Sequence, residues 1–147
     1  MSKIYFFNGW GMDKNLLKPV KNLTEYDIEV IDFPYNIDKN SIDMNDIFIG
    51  YSFGVYYLNK FLSENKDLKY KKAVGINGLP ETIGNFGINE KMLNITLNTL
   101  NEENLEKFLI NMDIDDSFCK SDKSFDEIKN ELQFFKDNYK IIDNHID

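Results

Sequence analysis

"IFIGYSFGVYYLNKFL", residues Ile47–Leu62, joins an apolar run to a helical pattern through a serine set between two glycines. Asp46–Gly50 is short and apolar, the composition of a buried strand. Phe53–Ser63 is rich in Val, Tyr, Leu and Phe and reads as a helix. Between them lies Gly50-Tyr51-Ser52-Phe53-Gly54, the G-x-S-x-G pattern of a sharp strand-to-helix turn that exposes a serine hydroxyl. Small residues on both sides let the chain turn without Cβ clashes. The helix N-terminus directs free N–H groups and a partial positive charge at the serine oxygen. Three fixed positions in five recur by chance, and the bland alternative is an ordinary serine in a turn. The flanking strand and helix favour a nucleophile.

Working outward, Lys3–Phe7 is an apolar strand running into the loop "NGWG" (Asn8–Gly11). Asp13 can cap a helix whose Leu16, Leu17, Val20 and Leu23 share one face. Asp27–Phe33 reads as a strand stopped by Pro34, and Lys71–Asn77 as a fourth strand. Strands alternating with helices imply parallel β-α-β units. After Pro80 the pattern becomes helical. Met92, Leu93, Thr96, Leu97 and Leu100 make one stripe, and Leu105, Phe108, Leu109 and Met112 the next. Ser124 with Glu127 forms a capping box that opens a third helix, striped by Ile128, Leu132, Phe135 and Tyr139. The expected organisation is one domain over 1–147, with a sheet core in 1–80 and a helical layer in 81–140.

A net charge of −8 and a pI near 4.7 argue against nucleic acid as partner. All 17 basic residues are lysines. No stretch approaches the roughly 20 apolar residues of a membrane span, and the N-terminus lacks a signal-peptide pattern, so a cytoplasmic protein is expected. The single cysteine, Cys119, excludes an internal disulfide and reads as a small buried hydrophobe.

A serine nucleophile needs an oxyanion hole. One donor is the N–H of the residue after the serine, Phe53, and the other comes from the loop after an earlier strand. In "FFNGWGMD" (Phe6–Asp13), Gly9 and Gly11 free the backbone around Trp10, whose amide is the second candidate.

"NGWGMD", "GYSFGV" and "VGINGLPETIGNFGI", in this order and spacing, resemble the BioG family of pimeloyl-carrier-protein methyl ester esterases. The stretch Ile76–Ile88 is the most distinctive of the three. The resemblance implies an α/β-hydrolase-like parallel sheet with a helical lid. It makes Ser52 the nucleophile, and Trp10 and Phe53 the oxyanion donors. It also implies a substrate presented as the pimeloyl methyl ester of an acyl carrier protein, with no metal or organic cofactor. Family members usually carry histidine where this chain has Asn8.

The triad is harder to complete. In the family the catalytic histidine follows further strands, so the chain is expected to be truncated at its C-terminal strands and to hydrolyse esters poorly. His145 is the only histidine and so the only possible base; its other reading is a solvated tail. For the acid, Asp113, Asp115 and Asp116 are candidates, with Asp113 favoured by position; otherwise they form a solvated acidic loop. The lysines of "KDLKYKK" (Lys66–Lys72) could dock an acidic carrier, or simply be a solvated loop.

Overall fold

The computed structural model describes residues 2–114 and 119–147. Four strands, β1 (Lys3–Phe7), β2 (Asp27–Ile31), β3 (Ile47–Tyr51) and β4 (Lys72–Ile76), form one all-parallel sheet in the order β2-β1-β3-β4. Tyr5 pairs with both Glu29 and Phe48, and Ile49 with Val74, so β1 is central and buried. From β1 the chain steps outward to β2, then crosses back over β1 to β3. The strand order therefore reverses between β1 and β3. In open α/β sheets the crevice at the carboxyl ends of such a strand pair is where ligands bind.

Helix α1 (Phe53–Glu64) covers one face of the sheet. Val55, Leu58 and Leu62 share a face and pack on Tyr5, Phe7, Phe48 and Ala73. The opposite side of α1 turns Tyr56 toward a second cluster, with Leu93 and Leu97 from α2 (Glu90–Thr99) and Leu132 and Phe135 from α4 (Phe125–Asn138). Burial on both sides explains why α1 is apolar around most of its circumference. Between α2 and α4 lies α3 (Glu102–Asn111), whose Leu105 is buried. The Asn89 and Asn101 side chains cap α2 and α3, and the Ser124 hydroxyl accepts the Glu127 N–H at 3.2 Å. The other face of the sheet, with Ile4, Val30, Ile47, Ile49 and Val74, remains half-exposed. Among the described residues, no helix is long and apolar enough to cross a membrane.

The helix expected after Asp13 is not formed. Asp13 caps a single 3₁₀ turn, Lys14–Leu17, and the chain continues in turns that leave Val20 and Leu23 exposed. Pro19 accounts for this: it has no N–H to donate, and its ring would clash with the preceding helical turn. β2 ends at Ile31, short of Phe33, because Asp32 turns its carboxylate to the Asn8 side chain. Cys119 is half-buried rather than buried; its thiol donates to the Leu16 carbonyl at 3.7 Å.

The C-terminal segment is anchored at a few points, although Ile141, Asp143, Asn144 and Asp147 are exposed. The buried Asn59 of α1 donates to the Asp143 carbonyl at 3.1 Å and accepts the His145 N–H at 2.7 Å. Ile146 enters the core cluster under α1.

Candidate active site

Ser52 lies at the carboxyl end of β3, at the point where the strand order reverses. Its backbone adopts φ 54°, ψ −121°, a region a glycine enters readily and a serine does not. Two main-chain bonds hold it there. Its N–H donates to the Ile76 carbonyl at 3.0 Å, and its carbonyl accepts the Val55 N–H at 3.1 Å. The glycines around it serve close approach. A Cβ on Gly50 would stand 2.8 Å from the Val55 Cα, and one on Gly78 would stand 2.9 Å from the Ser52 carbonyl carbon. Its hydroxyl makes no hydrogen bond among the described residues.

The loop after β1 lies against this turn: a Cβ added to Gly9 would meet the Ser52 Cβ at 3.3 Å. Asn8 organises the loop. Fully buried, it donates from Nδ2 to the Asp13 carbonyl and to Asp32 Oδ1, both at 2.9 Å, and accepts the Gly9 N–H at 3.0 Å. Its carbonyl accepts the Tyr35 hydroxyl at 2.7 Å. Burial holds that phenol well above its ordinary pKa, so it stays a donor. Asn8 thus has every polar group paired.

The Trp10 indole donates to the Ile128 carbonyl of α4 at 2.7 Å, and its ring packs on Phe53 and Phe108. The Trp10 and Phe53 amides have no acceptor among the described residues. For Phe53 this follows from its place as the first residue of a helix.

Two cavities meet at Ser52. The first, about 320 Å³, is walled by Trp10, Phe53, Leu93, Leu100, Phe108 and Leu132, and is overwhelmingly apolar. The second, about 350 Å³, is more open and runs from Ser52 past Asn77, Gly78, Thr82 and Ile88. Among the described residues, neither cavity is lined by a histidine or a carboxylate.

The other expected site residues lie elsewhere. His145 is fastened by its amide to Asn59, about two helical turns or ~10 Å along α1 from Ser52. Asp113 is exposed at the C-terminal end of α3 and lines neither cavity. Asp115 and Asp116 lie outside the described residues. Lys66, Lys69, Lys71 and Lys72 are exposed near the N-terminal end of β4, roughly 16 Å of strand away from the carboxyl ends where Ser52 sits.

Inspection of the sequence missed two carboxylates. Asp32 is half-buried between Asn8, Asp13 and Lys123, and burial raises its pKa despite the Asn8 hydrogen bond. Glu131 is buried on α4 and accepts the Gly11 N–H at 2.8 Å while pairing with Lys123. Burial raises its pKa too, opposed by Lys123 and the Gly11 amide. The signal for Glu131 was present, since it interrupts the apolar stripe of Ile128, Leu132 and Phe135.

Comparison with protein-family models, with curated proteins and with solved structures finds no match to this chain.

Proposed function

We propose that the chain is a serine carboxylester hydrolase in scaffold and site, with an α/β-hydrolase-like sheet, Ser52 as nucleophile and α2–α4 as a lid. The observation that carries this reading is the strained backbone of Ser52 at a strand-order reversal, beside two amides without acceptors among the described residues. In this reading Ser52 Oγ adds to the ester carbonyl carbon and the developing oxyanion takes the Trp10 and Phe53 N–H groups. The alkoxide leaves with the serine proton, and water then cleaves the acyl-serine. The apolar cavity holds the acyl chain. At about 320 Å³ it is at the lower end of small-molecule sites and suits one short chain. Through the BioG resemblance, the substrate is the methyl ester of a pimeloyl group on an acyl carrier protein, in the making of a biotin precursor.

A second reading is an acyl-binding relative that does not turn over. It is favoured by one observation, the absence of histidine and carboxylate from both described cavity linings. Without a base the serine stays protonated and a weak nucleophile, so in this reading a bound acyl group is held and not cleaved.

Turnover of p-nitrophenyl esters by the wild type, Ser52→Ala and His145→Ala separates these readings. Weak turnover lost only in Ser52→Ala supports a slow esterase. Acyl binding with no Ser52-dependent turnover supports the binding protein. Robust turnover abolished by both substitutions would make His145 the base.

A further inference from the structure

Three consecutive amides, those of Gly9, Trp10 and Gly11, run along the loop beside Ser52. The first is taken by Asn8 Oδ1 at 3.0 Å and the third by Glu131 Oε2 at 2.8 Å. The middle one, that of Trp10, has no acceptor among the described residues. Asn8 belongs to the same loop, but Glu131 lies 120 residues away on α4. One residue pair therefore ties the helical layer to the orientation of the loop. The tie is reinforced one turn earlier on α4, where the Ile128 carbonyl accepts the Trp10 indole N–H. Glu131 Oε1 is bound by Lys123, so the carboxylate is held from both oxygens in a buried setting. A charged acceptor of this kind makes a stronger bond than a neutral one.

We propose that Glu131 is a positioning residue: by clamping the Gly11 N–H it sets the peptide planes around Trp10, so that the Trp10 N–H stays unpaired and faces the Ser52 side of the loop as an oxyanion donor. This rests on the reading of Ser52 as nucleophile. The ligand it serves is the tetrahedral oxyanion of acyl transfer. A carboxylate buried in an apolar stripe costs stability unless it is paired. Here its two partners are the loop amide and Lys123.

The test uses the full chain as wild type, Glu131→Gln and Glu131→Ala. Glutamine keeps an acceptor for the Gly11 N–H but not the charge; alanine removes both. Amide hydrogen exchange at Gly11 and Trp10 is read by NMR, with thermal unfolding alongside and with titration of phenylboronic acid. That probe mimics the oxyanion when the serine oxygen bonds to its boron and the serine proton passes to water. Alanine should speed Gly11 exchange and weaken boronate binding about tenfold or more, in keeping with the loss of one oriented donor. Glutamine should restore most of both. If Gly11 exchange is unchanged in the alanine variant, the clamp does not exist. If boronate affinity follows lost stability equally in both variants, Glu131 is merely structural, and the proposal falls. If the wild type takes up no boronate, the Ser52 reading fails instead, and Gly11 and Trp10 exchange still decides whether Glu131 sets the loop.

Discussion

Gly54 meets the main chain of Phe7 with no room between them: a Cβ on Gly54 would stand 2.6 Å from the Phe7 carbonyl carbon. The first turn of α1 is thereby seated on the end of β1, and the Ser52 turn and the Trp10 loop form one unit. Gly54→Ala should lower stability by about 1–3 kcal/mol or more, because backbone rather than a flexible side chain must move. Gly75→Ala is the control. There a Cβ would meet only the Val55 side chain at 3.3 Å, and the loss should be smaller. Urea unfolding of both variants checks this; equal stabilities would contradict it.

Ser52 holds a conformation that costs about 1–3 kcal/mol for a residue with a Cβ. Ser52→Gly should relieve that cost, offset by roughly 0.5–1 kcal/mol of glycine entropy. The glycine variant should therefore be more stable than Ser52→Ala by about 1 kcal/mol. Their relative melting temperatures give the answer, and an alanine variant that melts higher would mean the turn is not strained.

Asp32 is raised in pKa chiefly by burial. A carboxylate raised on folding contributes stability at pH below its unfolded value, and loses it as pH rises through the folded value. At neutral pH Asp32 is therefore a liability. Asp32→Asn keeps an acceptor for the Asn8 side chain and should raise the melting temperature at pH 7. The gain should shrink as pH falls toward the ordinary aspartate value of about 3.9. A gain independent of pH, or a loss at pH 7, would contradict this.

Asn59 holds the C-terminal segment through two main-chain bonds. Asn59→Ala should cost about 1–3 kcal/mol by leaving those groups unpaired. His145→Ala leaves both bonds in place and should change neither stability nor Ser52 reactivity by more than a small factor. Denaturant melts and probe-labelling rates measure the two effects separately.

Much of this fold was legible in advance because local and global preferences agree in it. The apolar runs of β1, β3 and β4, the serine turn, and the stripes of α2, α3 and α4 all lie where the periodicities point. The misses have physical causes. Leu16, Leu17, Val20 and Leu23 fit a helical face, but Pro19 stops the helix from propagating. Asn59 looks like an interruption in an apolar helix, yet its two bonds to distant main chain make it the anchor of the tail. Glu131 likewise pairs with a residue 120 positions away, a separation no local pattern reveals. Ser52, Trp10 and Phe53 line one cavity. His145, the only base the sequence offers, lines neither described cavity, and neither lining supplies another histidine or a carboxylate.

The central claim is that Ser52 is a nucleophile held in a strained turn beside a donor loop. Fluorophosphonate labelling followed by peptide mass spectrometry tests it most directly. In this reaction Ser52 Oγ displaces fluoride at phosphorus, and the serine proton leaves with it. The predicted result is one slow adduct per chain, on Ser52, absent in Ser52→Ala and retained in His145→Ala. A folded wild-type chain left unlabelled at Ser52, or labelled at another residue instead, would contradict the account.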